Sequence, residues 1–261
     1  MLSYQHGFHA GNRADMLKHA VLDAILRDLA AGGTPVLYLE THAGRGRYDL
    51  TGAQAVKTGE AAEGVLSLWS GEVPAPLAPW MERVRAEGRQ NYPGSPALAG
   101  LNLSDRDRIV LFEKHPAEFK ALGEAFGGDR RVQVRKEDGY AGALRLMPRR
   151  GEQMIVFCDP SYETIADMEL LAEWAPRALE KWPHALIVLW LPLFKDEREL
   201  EFGQFLGELE DGVIAGARWP APQDKDTALE GSAIVAYRVP RRVRREAGEI
   251  AGALEALWAR G

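Results

Sequence analysis

The chain has 261 residues, with 32 lysines and arginines against 38 aspartates and glutamates, a formal net charge of −6. Hydrophobic residues make up 46% and charged residues 27%, the balance of a soluble globular protein and not of a disordered or collagen-like chain. The single cysteine, Cys158, excludes an internal disulfide and a thiolate zinc cluster.

The N-terminal stretch MLSYQHGFHAGNRADMLKHA has no apolar core of a secretory signal. No apolar run approaches the roughly 20 residues of a membrane span, so a cytoplasmic protein without a membrane partner is expected. Ala14–Ala30 places Leu17, Val21, Ala24, Ile25 and Leu29 on one helical stripe. After the breaker Gly-Gly-Thr-Pro, Val36–Glu40 reads as a first strand. Further strands are expected at Arg108–Phe112, Arg131–Arg135, Gln153–Cys158, Ala185–Trp190, Val213–Arg218 and Ser232–Val239. In the fifth, Pro192 marks the exit. Helices are expected at Pro116–Phe126, Met168–Trp182 and Glu197–Leu209, the second stopped by Pro183. Strands alternating with helices predict a mostly parallel sheet of about seven strands, covered on both faces, with the last two antiparallel. Residues 48–95 break the rhythm. Helical patches at Thr58–Trp69 and Pro79–Arg89 flank a proline-rich segment, which predicts a small helical insertion within one α/β domain.

Four strand ends carry candidate chemistry, because ligands of open α/β sheets bind there. The first strand runs into Glu40-Thr41-His42-Ala43-Gly44-Arg45-Gly46, whose glycines allow a sharp bend and a close approach of backbone N–H groups to a ligand. Asp49 stands where a dinucleotide fingerprint has its third glycine, so that fingerprint is incomplete. Glu113 follows the second strand, placed either to accept from ribose hydroxyls or simply to favour a helix N-terminus. Asp138-Gly139 follows the third, as a ligand contact or an ordinary turn. The fourth strand ends in Asp159-Pro160-Ser161-Tyr162. The Asp159 carboxylate and the Pro160 carbonyl are acceptors suited to an NH2 group, and the Tyr162 ring is suited to stack on a base.

Asp-Pro-Ser-Tyr is similar to the (Asp/Asn)-Pro-Pro-Tyr motif of S-adenosylmethionine-dependent amino-methyltransferases. The chain resembles the RlmJ family of 23S ribosomal RNA adenine-N6 methyltransferases. The resemblance runs through LSYQHGFHAGNRADMLKH, LYLETHAGRGRY, KTGE, YPGSP, EKHP, EDGY and DPSYE, and more loosely through LWLP and GSAIV. It implies a class I S-adenosylmethionine-dependent methyltransferase fold over 1–261, Rossmann-like, with an inserted helical subdomain near 48–95. It implies methyl-donor contacts at His19, His42, Gly44, Ser95, Glu113, Asp138, Gly139 and Asp159, with Lys18 beside them. Asp159, Pro160 and Tyr162 fall on the catalytic motif, and Tyr4 and His6 on a segment that engages the target nucleotide. Ser161 replaces the motif's second proline. The implied cofactor is S-adenosylmethionine and the implied partner 23S ribosomal RNA, protein-free, met by a monomer. A DNA adenine methyltransferase shares the tetrapeptide, and a non-catalytic RNA-binding module shares the fold.

Other residues are assigned bland roles. His6, His9, His19 and His42 lack a completing ligand spacing, so no metal is expected. Cys158 reads as a small buried hydrophobe. Neither Ser95 nor Ser161 lies in G-x-S-x-G. Arg45, Arg47 and the run Arg238, Arg241, Arg242, Arg244 and Arg245 are candidates for RNA backbone contact.

Overall fold

The computed structural model describes residues 5–210, 212–220 and 229–259; Tyr4 lies outside them. In chain order the elements are α1 (Arg13–Ala31), β1 (Val36–Glu40), β2 (Arg47–Asp49), α2 (Ala53–Thr58), α3 (Glu60–Glu63), α4 (Ala78–Ala86), β3 (Asn91–Pro93), α5 (Ser95–Asn102) and β4 (Arg108–Phe112). There follow α6 (Pro116–Phe126), β5 (Val132–Arg135), α7 (Gly139–Ala143), β6 (Gln153–Cys158), α8 (Ile165–Lys181), β7 (Leu186–Phe194), α9 (Leu200–Glu208), β8 (Val213–Arg218), β9 (Leu229–Tyr237) and α10 (Arg241–Trp258). No helix among the described residues is long and apolar enough to cross a membrane.

Seven strands form one sheet in the order β5-β4-β1-β6-β7-β9-β8. The first five are parallel, while β9 runs antiparallel to both β7 and β8. The central strands are buried and apolar but for Glu40: all five residues of β1 are buried, as are Met154–Cys158 of β6. A strand buried on both faces shows a continuous apolar run because helices cover each side. The fifth strand is longer than its sequence implies and passes through Pro192 to Phe194. Its pairing with β6 ends at Leu189, while pairing with β9 continues through Pro192↔Ser232. Beyond Leu189 one side of β7 is an edge, where a missing N–H removes no ladder bond.

α1 is not the one-sided amphipathic helix its stripe predicts. Fourteen of its 19 residues are buried, because α5, α10 and β9 all pack on it. Asp23, fully buried, ties it to its neighbours: Arg27, Arg83 of α4 and Asn102 of α5 lie 3.0, 3.2 and 2.9 Å from its carboxylate oxygens. α10 has no counterpart among the sequence-based expectations. Its apolar face (Val243, Ala247, Ile250, Ala251, Leu254, Trp258) recurs at helical spacing but begins inside the arginine run.

Between β1 and α5 the chain makes the excursion expected near 48–95. β2 and β3 pair antiparallel at its base, Tyr48 opposite Tyr92. The patch expected at Thr58–Trp69 is broken into α2, α3 and a 3-10 turn at Val65–Leu68 by Gly59 and Gly64. Both glycines are demanded locally. Gly59 sits at φ +69°, and a Cβ on Gly64 would stand 2.0 Å from the Gly11 carbonyl oxygen. That contact presses the excursion against the N-terminal segment, where Val65 N–H donates to the Gly11 carbonyl at 2.8 Å.

The arginine run is largely occupied within the fold. Tyr237 pairs with Ile187 at the start of β7, so Arg238 stands at the end of the parallel strands opposite to their C-termini. Its guanidinium donates to the carbonyls of Leu179 (3.1 Å), Trp182 (2.5 Å) and Ala185 (3.3 Å). It therefore caps the C-terminus of α8, where carbonyls lack helical partners. Arg242 pairs with Asp28, and Arg244 Nε donates to the Val239 carbonyl at 2.9 Å. The run expected as a candidate for RNA backbone contact thus begins at the end of the sheet opposite the strand C-termini. Arg45 likewise makes a two-pronged pair with Glu118, and Arg47 pairs with Glu87. Arg238→Ala is expected to lower unfolding stability by about 1–3 kcal/mol, the range for hydrogen bonds from a charged donor. Urea unfolding checks this, and an unchanged midpoint would show that the cap contributes nothing.

Candidate active site

The C-terminal ends of β1, β4, β5, β6 and β7 surround a cavity of about 260 Å³. Lys18, His19, His42, Gly44, Ser95, Glu113, Asp138, Gly139, Asp159 and Pro160 all line it, and so does His6. These residues span positions 6 to 160 of the chain, and the parallel sheet is what gathers them.

The turn after β1 is shaped by Gly44 and Gly46, at φ +59° and +74°. A side chain at Gly44 would strike the Tyr48 hydroxyl, and one at Gly46 the Phe126 ring, each at 2.5 Å. The turn delivers the Gly44 N–H to Glu113 Oε2 at 2.8 Å, while Glu113 Oε1 takes the His115 N–H at 2.6 Å. Glu113 thus stands just before α6 and lines the cavity. Burial raises its pKa, opposed by these two backbone N–H groups. Asp138 caps α7 by accepting the Ala141 N–H at 3.0 Å, and its other oxygen lies 3.5 Å from Lys114 Nζ. Gly139 is required by packing, since a Cβ there would stand 1.8 Å from the Thr41 carbonyl oxygen. The loops after β1 and β5 thus meet backbone to backbone under the cavity floor.

Two imidazoles of the wall, those of His42 and His19, are held neutral at pH 7. Burial pushes His42 down to about 4 and His19 down to about 3. His42 Nδ1 lies 2.8 Å from Thr41 Oγ1 and its ring meets Tyr140 edge-on at 4.9 Å. His19 Nδ1 lies 2.6 Å from the Tyr92 hydroxyl, which anchors α1 to the base of the excursion. Beneath them Glu40 is fully buried, accepting from Ser95 Oγ and from the Tyr38 hydroxyl at 2.8 Å. Burial lifts Glu40 to about 8. Ser95 therefore binds Glu40 as well as facing the cavity. Cys158 is buried, its thiol pushed up to about 12 by burial, which fits a packing residue.

The centre of the site is a chain of charges that crosses from α1 to β6. Lys18 Nζ lies 2.7 Å from Asp159 Oδ2 and 2.9 Å from Asp15 Oδ1. Asp15, fully buried, also accepts the Gly11 N–H at 2.7 Å and lies 3.0 Å from His6 Nε2. Burial opposes its charge, yet His6 and Lys18 hold its pKa well below the usual carboxylate range. Lys18 also sits over the Trp190 ring, 5.0 Å from its centroid. Asp15 is the functional residue that the sequence analysis missed. Its signal was present: Asp15, Lys18 and His19 share one face at i, i+3 and i+4, inside a helix too buried to carry idle charges.

Tyr162 adopts φ +48°, uncommon for a bulky residue, and its hydroxyl donates to the Trp190 carbonyl at 2.6 Å. Its ring packs against Trp190 at 5.4 Å and lines an adjoining cavity, not the one at the strand ends. The Lys57-Thr58-Gly59-Glu60 motif lies outside both the strand ends and the sheet. Its Glu60 carboxylate lies 2.9 Å from His9 Nδ1 and accepts from Asn12 at 3.0 Å, and its Thr58 hydroxyl donates to the Phe8 carbonyl. It clamps the segment that bears His6.

A sheet of this order with its last strands antiparallel, and a motif-bearing cavity at its strand C-termini, is the class I methyltransferase fold. Within that class, the family model described as "Ribosomal RNA large subunit methyltransferase D, RlmJ" matches residues 33–259. A protein of Escherichia coli (strain K12) described as Ribosomal RNA large subunit methyltransferase J is 36% identical over 198 residues, 74% of this chain and 71% of the relative. A protein of Haemophilus influenzae with the same description is 34% identical over 199 residues, again 74% and 71%. The crystal structure of a protein from Legionella pneumophila superposes with a TM-score of 0.87 at 26% identity, covering 97% of this chain and 95% of that one. The chain belongs to the RlmJ family.

Glu40 yields a stability test. Between its unperturbed 4.5 and about 8, the folded chain holds a proton that the unfolded chain has released. Its contribution is therefore complete below 4.5 and is lost as pH rises through 8. Glu40→Gln removes this loss. The urea midpoint of the variant, relative to the native chain, is expected to rise steadily across that window. A difference independent of pH would show that Glu40 is not protonated in the fold.

Proposed function

We propose that the chain is a cytoplasmic enzyme that transfers a methyl group from S-adenosylmethionine to N6 of a specific adenine in 23S ribosomal RNA. It acts as a monomer on protein-free RNA. The observation that carries this reading is Asp159 at the mouth of the strand-end cavity, held by Lys18 at 2.7 Å and followed by Pro160. The family supports the substrate class. Residues 48–95 are read as a helical subdomain inserted into a single methyltransferase domain, the β2–β3 pairing closing its base.

The cavity residues fit the methyl donor. Glu113 has a lone pair left on each oxygen for ribose hydroxyls, and Asp138 stands at the next strand end for an adenine amine. Gly44 and Gly139 leave the backbone bare where a side chain would collide. The donor supplies an electrophilic methyl on a sulfonium. The acceptor nitrogen is the harder partner, since the N6 lone pair is delocalised into the ring. Asp159 and the Pro160 carbonyl would accept the two amine hydrogens and favour a pyramidal nitrogen with developing positive charge. Lys18 takes Asp159 Oδ2, so the amine hydrogen is assigned to Oδ1. Asp159 or a water would take the proton that the amine gives up on accepting the methyl. Tyr162, locked through Trp190, sets the far wall of the space for the base. An adenine within a duplex cannot reach this point and must be single-stranded or flipped out.

Labelled S-adenosylmethionine with unmodified 23S RNA, followed by nuclease digestion and nucleoside mass spectrometry, tests the reading. N6-methyladenosine is expected, and Asp159→Ala is expected to reduce its formation by at least about 100-fold in a folded protein. Methylation of duplex DNA alone would overturn the substrate. Near-native turnover in Asp159→Ala would overturn the mechanism.

A further inference from the structure

A second cavity, of about 840 Å³, opens beside the first and shares His6, Lys18, Ser161 and Trp190 with it. It is lined by the N-terminal segment, the start of α1 and the far part of β7, and not by the ends of β1, β4 or β5. Its outer wall is aromatic: Phe194 from the end of β7, Trp219 just after β8 and Trp258 at the end of α10. Trp258 is buried, and the half-buried Trp219 meets it edge-on, with centroids 5.1 Å apart and planes at 80°. The buried ring fixes the half-buried one, which is the arrangement of a preorganised stacking surface.

We propose that this cavity receives the base of a nucleotide next to the target adenine in single-stranded RNA, with Trp219 as the ring it stacks on. The proposal rests on the RNA methylation reading above and adds a subsite to it. Two features favour a base over other occupants. The cavity shares Lys18, which holds Asp159, with the first one, so a strand that places one base at Asp159 leads its neighbour here. Glu60 and Glu63 in the same wall are met by His9 and Arg13, so what the wall offers a ligand is its aromatic faces. Sequence-specific recognition of RNA commonly uses unstacked single-stranded bases laid on aromatic side chains in this way.

A double-mutant cycle tests it. The binding of a short single-stranded RNA holding one adenine is measured by tryptophan fluorescence, against the same RNA with an abasic site on either side of that adenine. The native chain is expected to lose about 5- to 100-fold in affinity with one of the abasic RNAs. Trp219→Ala should lose as much with the intact RNA and nothing further with the abasic one, because the partners act as a pair. Trp219→Phe should recover most of the affinity. The salt dependence should keep its slope in both variants, since no phosphate contact is removed. Losses that multiply, or intact RNA binding in Trp219→Ala, would overturn the proposal. A dimer seen by sedimentation and abolished by Trp219→Ala, with RNA binding intact, would assign this face to a second copy of the chain instead. Failure of the native chain to methylate any RNA would refute the functional reading, while the binding cycle would still decide this one.

Discussion

A buried ammonium between two carboxylates is the constraint around which this molecule is organised. Lys18 is 3% exposed and reaches Asp15 and Asp159 at 2.9 and 2.7 Å. Burying such charges without partners costs several kcal/mol each, so removing one strands the others. Asp15 is compensated in turn by the Gly11 N–H and by His6. The start of α1, the N-terminal segment and the end of β6 are therefore one electrostatic unit. The catalytic acid is placed by a helix that lies more than 140 positions earlier in the chain.

That unit explains the packing around it. α1 can keep Lys18, Asp15 and His19 out of water only because it is covered on several sides by α5, α10 and β9. The excursion between β1 and α5 contributes from below: Tyr92 at its base meets His19, while Glu60 near its middle holds His9 and Asn12. Residues that look dispersed in the KTGE and YPGSP motifs act together. One holds the segment before α1 through carboxylate contacts, and the other holds α1 itself through a tyrosine hydroxyl.

The strand ends were legible because their logic is local. A short apolar run followed by Gly44, Glu113, Asp138 or Asp159 is visible within ten residues, and a parallel sheet must bring such ends together. The alternation of strands and helices makes the sheet mostly parallel but leaves its strand order open. What escaped is what depends on tertiary contact. Asp15 looks like an ordinary first-turn acid until Lys18 and His6 are seen to converge on it. That the Tyr162 hydroxyl is taken by the Trp190 carbonyl, 28 residues on, is invisible in the local sequence. So is the place of the arginine run in the fold. Arg238 caps α8, because the chain returns antiparallel along β9 to the opposite end of the sheet, and pitch and register decide that, not charge.

The distribution of charge also resolves how an acidic chain can serve an RNA substrate. His19 and His42 are neutral through burial, and Glu40 keeps its proton near neutral pH. The carboxylates lining the cavity, Glu113, Glu118, Asp138, Asp159, Glu163 and Asp167, outnumber its lysines, Lys18 and Lys114. A cationic methyl donor would sit better among carboxylates than among imidazolium ions, and its neutral thioether product would gain less from them, which would favour release. Acidity at the centre is thus what such a donor would require. Under the proposed reading, affinity for RNA would then come from groups indifferent to that field, such as the aromatic faces of Trp219 and Trp190.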